Sequence, residues 1–142
     1  MTEPVTGPAG APLRCAKYHG LGNDFVVALL DAVPPHADAL ARAVCARRTG
    51  IGADGLIIGT PSTRPGVDLV FNLWNADGGV AEISGNGIRC LAHAEVRRRG
   101  VERTELVIET LAGDRTLTVA PGRHPGEVVA SVTMGRAAPG PA

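Results

Sequence analysis

The sequence predicts an α+β domain in which a mostly antiparallel sheet packs against two helices. Two stretches, 36–48 and 86–100, carry apolar residues at helical spacing, and short β-like runs lie before, between and after them. Three of those runs follow one another after residue 100 with connections of two to six residues, as antiparallel neighbours do.

Taken in order, "LRCAKY" (13–18) and "DFVVALL" (24–30) read as strands joined by the turn-rich "HGLGN". "HADALARAVCARR" (36–48) places Ala37, Leu40, Ala41, Val44 and Cys45 on one helical face behind Pro34 and Pro35. "DGLIIG" and "VDLVFNLWN" are β-like, the second alternating Val67, Leu69, Phe71 and Leu73 with polar residues, and "NADGG" (75–79) is a turn by composition. "NGIRCLAHAEVRRRG" is the second helix, its apolar stripe formed by Ile88, Leu91, Ala92 and Val96. "ELVIET", "RTLTVA" and "EVVASVTM" complete the strands. Residues 1–12 and 136–142 are rich in Pro, Gly and small residues, which predicts a flexible N-terminal arm and a flexible tail or the start of an interdomain linker; the domain proper is 13–135.

Composition excludes several function classes. Fourteen basic and fourteen acidic residues cancel, so no summed field draws nucleic acid or an anionic membrane. "RRRG" at 97–100 reads as a solvated helix end closed by its glycine. There is no long apolar run, and three cysteines without a C-x-x-C pair point away from zinc and disulfides. The expectation is a cytoplasmic protein with neither metal nor membrane partner.

Four glycine-containing segments could carry chemistry. "GIGADG" (50–55) fits G-x-G-x-x-G, but it follows a helix and opens a strand, the reverse of a dinucleotide site, and so reads as a helix stop with close backbone approach. In "HGLGNDF", Asn23 and Asp24 either satisfy the turn or face a ligand. Asn75 and Asp77 of "NADGG" leave the same choice. In "AEISGNGIRC", Ser84 stands where an N-cap belongs, ahead of Gly85-Asn86-Gly87. The free N–H groups of that first turn make a corner suited to an anion, although a plain capped turn fits the spacing as well.

Together, "KYHGLGNDFVV", "GIGADGLI", "FNLWNADGG" and "SGNGIRCLA" resemble, in order and approximate spacing, the N-terminal half of diaminopimelate epimerase. The resemblance implies one half of a two-domain fold, each half an antiparallel sheet wrapped around a central helix, here 86–99. It implies a cofactor-independent epimerase acting at the Cα of an amino acid, converting LL- to meso-diaminopimelate in lysine and cell-wall biosynthesis. One cysteine from each half would face the Cα, one removing the proton and the other returning it. Position by position, Asn23 and Asn75 match residues that bind substrate, Gly85 and Asn86 match the donors to its α-carboxylate, and Ser84 occupies the catalytic position.

Three departures follow. Ser84 replaces the family's cysteine, and a serine hydroxyl is a far weaker acid than a thiol with pKa about 8.5. Cys90 is no substitute: six residues carry it about 600° around the helix and roughly 9 Å along it. Gly55 stands where family members use Gln near the substrate. The resemblance covers only the first of the family's two domains, so the expected explanations are a truncated gene, a subunit paired with a separately encoded half, or a homodimer. The alternatives to an epimerase half are a non-catalytic amino-acid or carboxylate-binding module and a racemase-like subunit for another amino acid.

Overall fold

The computed structural model describes residues 2–6, 12–20 and 22–133. The predicted tail, 136–142, lies outside the described residues. The strands are β1 (Thr2–Thr6), β2 (Pro12–Gly20), β3 (Asn23–Leu29), β4 (Gly55–Pro61), β5 (Leu69–Asn75), β6 (Val80–Ala81), β7 (Thr104–Thr110), β8 (Gly113–Pro121) and β9 (Val128–Thr133). The helices are α1 (Ala37–Cys45) and α2 (Gly85–Arg99). One sheet runs β1-β2-β3-β4-β5-β7-β8-β9, with β6 paired to β5.

The predicted α+β architecture is present, and most neighbours are antiparallel. Two pairs are parallel, β3 with β4 and β5 with β7. Parallel neighbours need a crossover, and α1 and α2 supply one each. The sheet curls around α2, which touches β2 and β3 near one edge and β8 and β9 at the other.

Burial explains two kinds of strand pattern. Phe25, Val27 and Ile57 face α2, while Val26, Ala28, Leu56 and Ile58 face α1, so β3 and β4 are covered on both sides and read as continuous apolar runs. In β7 and β8 only Leu106, Ile108, Leu117 and Val119 are fully buried, and the strands alternate. The apolar faces predicted for both helices are buried as sets: Ala37, Leu40, Ala41, Val44 and Cys45 on α1, and Ile88, Leu91, Ala92 and Val96 on α2.

Some local outcomes differ from the sequence reading. Thr2–Thr6, within the expected flexible arm, pair antiparallel with Pro12–Ala16 as an edge strand. Edge pairing uses backbone groups and tolerates Pro4, so the composition that suggested an arm does not prevent it. β6 is a two-residue strand that the turn composition conceals. The arginines at the end of α2 are more than a solvated run: Arg98 and Arg99 both clamp Glu95, which is only 1% exposed, and Arg99 reaches Asp68. Gly100 closes the helix at φ 69°.

α1 ends at Cys45, three residues before the predicted Arg48, because the glycine loop captures its last carbonyls. Gly52 N–H donates to Val44 O, Ala53 N–H to Cys45 O and Gly50 N–H to Ala46 O. A Cβ at Gly50 would collide with Ala43 O and lie 2.7 Å from Val44 O, both backbone atoms. Gly50→Ala is therefore expected to cost about 1–3 kcal/mol in thermal unfolding; an unchanged midpoint would contradict this close approach.

Candidate active site

The N-terminal ends of β3 and β4, the C-terminal ends of β2 and β5 and the first turn of α2 meet at one end of the sheet. Register brings them there: Gly20 pairs with Asn23, Phe25 with Gly55 and Gly55 with Asn75. Beyond the ladders, Ala76 N–H donates to Asp54 O, and Gly20 lies against Asn86.

Ser84 is the N-cap of α2, with extended backbone at φ −140° and ψ 125°. Its Oγ accepts the Gly87 N–H at 3.0 Å, and its carbonyl accepts from Ile88. Among the described residues that Gly87 N–H is the only partner of Ser84 Oγ, so no side-chain base activates the hydroxyl. The N–H groups of Gly85 and Asn86 have no partner among the described residues. They are the two donors left open at the positive end of the helix dipole. The corner is half-buried. Arg89 braces it by donating to Gly85 O and to Ala130 O of β9, both at 3.0 Å.

Asn23 and Asn86 are brought together: Asn86 Nδ2 donates to Asn23 Oδ1 at 2.7 Å. Asn23 Nδ2 in turn donates to Asp54 Oδ2 at 3.2 Å. Asn75 is exposed at the end of β5, its N–H donating to Gly79 O and its O accepting from Gly78. It joins the corner through backbone pairing, and no side-chain bond among the described residues ties it to Ser84. The Gln contact expected of relatives has no room at Gly55, where a Cβ would lie 2.9 Å from Trp74 O.

Sequence reasoning missed the ion cluster beneath these residues. Arg47 grips Asp24 with two hydrogen bonds, 2.9 and 3.0 Å, and reaches Asp54 Oδ1 at 3.2 Å, while Lys17 pairs with Asp24 at 2.9 Å. Asp24 Oδ1 also accepts the Asp54 N–H, and Asp54 Oδ2 the Asp24 N–H. The residues sit in stretches already quoted, but their bonds link positions 7, 23 and 30 apart on different elements and leave no periodic signal. The Arg47 hydrogen bonds, with Lys17 behind them, hold the Asp24 carboxyl well below the usual carboxylate range, against the opposing effect of burial. A depressed folded pKa adds stability that is complete above the unfolded value, about 3.9, and is lost as pH falls below it. Stability should thus decline from about pH 5 downward, and Asp24→Asn should flatten that acid limb in denaturant titrations. Equal slopes for both proteins would refute the assignment.

Cys45 and Cys90 stay protonated near neutral pH and offer no thiolate. Burial pushes both Cys45 and Cys90 up to about 11. A cavity of about 590 Å³ lies toward the other end of α2, between Tyr18, His93, Arg97 and Val128. His93 packs edge-on to Tyr18, with centroids 4.9 Å apart, about 13 Å along the helix from Ser84. Among the described residues no group of three His, Cys, Asp or Glu is placed to hold a metal, and no helix is long and apolar enough to cross a membrane.

Comparison with known proteins matches the family described as diaminopimelate epimerase over residues 15–138. The diaminopimelate epimerase of Desulforudis audaxviator is 48% identical over 103 residues, covering 71% of this chain and 36% of that protein. That of Burkholderia thailandensis is 43% identical over 128 residues, covering 87% of this chain and 42% of that protein. The chain thus spans about two fifths or less of the length of these relatives. Among solved structures, a hydroxyproline epimerase from Agrobacterium vitis superposes with a TM-score of 0.69 at 17% identity, covering 86% of this chain and 41% of that one. A probable proline racemase from Agrobacterium radiobacter gives 0.65 at 20% identity, with 81% and 39% covered. At these identities the likeness is one of fold.

Proposed function

Because the chain belongs to the diaminopimelate epimerase family, we propose that it is the N-terminal half of a cofactor-independent amino-acid epimerase acting on diaminopimelate, working in the cytoplasm with a complementary C-terminal half. The observation that carries this reading is the open pair of N–H groups, Gly85 and Asn86, at the start of α2, beside the linked carboxamides of Asn23 and Asn86. An α-carboxylate seated there would meet two backbone donors and the helix dipole, and charge developing at Cα would be stabilised by groups already oriented. Asn75 would contact the substrate from the end of β5. The second half would supply the opposite acid or base and the groups for the distal end of the substrate. A homodimer would set Ser84 against Ser84 with no thiol at this position, which disfavours it as a catalyst.

Ser84 is the proposed group facing Cα from this half. With its Oγ held by Gly87 and no base beside it, it suits proton exchange as the hydroxyl partner of a thiolate opposite. Slow or one-directional turnover is expected. The test is co-expression with the C-terminal half of a diaminopimelate epimerase, followed by deuterium incorporation at Cα of diaminopimelate in D2O. Incorporation above that of either half alone supports the reading, and none in a folded complex overturns it.

The unactivated Ser84 also favours a second reading, a non-catalytic amino-acid or carboxylate-binding module. It expects ligand-dependent stabilisation without isotope exchange, even after Ser84→Cys.

A further inference from the structure

We propose that Asp54 is a positioning residue that fixes which way the carboxamides of Asn23 and Asn86 point, and so sets the donor–acceptor pattern of the amino-acid corner. This rests on the function proposed above and adds a residue to its site. A carboxylate can only accept hydrogen bonds. Asp54 Oδ2 takes Asn23 Nδ2 at 3.2 Å, so Asn23 must turn its Oδ1 the other way, where it receives Asn86 Nδ2 at 2.7 Å. Asn86 in turn must direct its NH2 at Asn23. Its Oδ1 then remains the end of the relay without a partner among the described residues.

Either carboxamide alone could flip at little cost; anchored to a carboxylate, neither can without setting donor against donor or acceptor against acceptor. Asp54 is itself held by Arg47 on Oδ1, by the Asp24 N–H on Oδ2 and through its own N–H, which reaches Asp24. The corner therefore combines backbone donors at Gly85 and Asn86 with one side-chain acceptor, a pattern matched to a carboxylate and an ammonium on the same carbon rather than to a carboxylate alone.

The relay is readable in the 142-residue chain by NMR of the side-chain NH2 groups. Asp54→Ala removes the acceptor and is expected to shift the signals of Asn23 and also of Asn86, which Asp54 does not touch. Asp54→Asn can still offer an oxygen to Asn23 while turning its NH2 toward the exposed Arg47, and should return the Asn86 signal close to its original position. An unmoved Asn86 signal in folded Asp54→Ala, or equal shifts in both variants, overturns the proposal. If Asp54→Ala does not fold, the unmodified chain decides: the Asn86 NH2 proton facing Asn23 must exchange with solvent at least about tenfold more slowly than its geminal partner, and equal rates overturn the relay. In the two-half complex, Asp54→Ala should also reduce the preference for diaminopimelate over pimelate, which lacks the ammonium groups, by about tenfold, with Asp54→Asn restoring most of it. A relay present in the NMR signals of a complex that exchanges no deuterium would refute the epimerase reading and leave the relay standing.

Discussion

Replacing Ser84 by cysteine is expected to raise Cα deuterium exchange by the two-half complex about 10²–10⁴-fold, the usual contribution of a well-placed general base. The position already provides what a thiolate needs. It is the N-cap of a fifteen-residue helix, its side-chain atom receives the Gly87 N–H at 3.0 Å, and two further N–H groups open beside it. A thiol of pKa about 8.5 placed there would be lowered toward neutrality, whereas the serine hydroxyl stays protonated. The cost is a weaker cap, about 1 kcal/mol. Two measurements check this. In the chain alone, the rate of alkylation of the introduced thiol against pH should give a pKa below 8.5, while Cys45 and Cys90, buried and pushed up to about 11, stay unreactive. In the complex, a substituted protein that exchanges no faster than the original would remove Ser84 from the proposed chemistry.

Leu91→Ala is expected to cost about 3–5 kcal/mol of folding stability, near the top of the range for buried leucines. Leu91 is fully buried at the middle of α2, where the sheet curls around it, and its methyl groups lie over Gly59 of β4. A Cβ at Gly59 would stand 2.6 Å from Leu91 Cδ1 and 3.0 Å from Leu29 Cδ2, so the glycine makes the space that the leucine fills. Gly59→Ala should therefore also destabilise, by about 1–3 kcal/mol through overpacking. Because the two substitutions act on one space in opposite senses, the double variant should lose clearly less than the sum, by about 1 kcal/mol or more. Strict additivity in a double-mutant cycle of urea unfolding would show that helix and strand do not share this contact.

These expectations draw on different amounts of sequence information. The alternation in β7 and β8 and the stripes of α1 and α2 are written locally, since each strand or helix repeats its buried face at a fixed period. The same is true of the α2 N-cap: Ser84, two flanking glycines and the following apolar stripe lie within one short segment. The free N–H groups of the first turn can accordingly be read from the sequence alone, and the family resemblance singles out Gly85 and Asn86 among them. What the glycines of "GIGADG" approach could not be read. For Gly50 the partner is the end of α1 itself, through Ala43 O and Val44 O, and for Gly55 it is Trp74 O of β5; such contacts depend on how the chain turns back.

By itself, then, the sequence determined the α+β class, both helix faces, the capped corner at Ser84 and, through four spaced motifs, the family. Tertiary structure decided the rest. It paired β3 with β4 and β5 with β7 in parallel, set Thr2–Thr6 against β2, and buried Glu95 between arginines that composition alone leaves in solvent. It also joined Asp54, Asn23 and Asn86 across 31 and 63 residues into one hydrogen-bonded line. The physical reason is range: periodicity and capping act within a few residues, whereas a carboxylate chooses its partners by distance in space, which is fixed only once the sheet has closed around its helix.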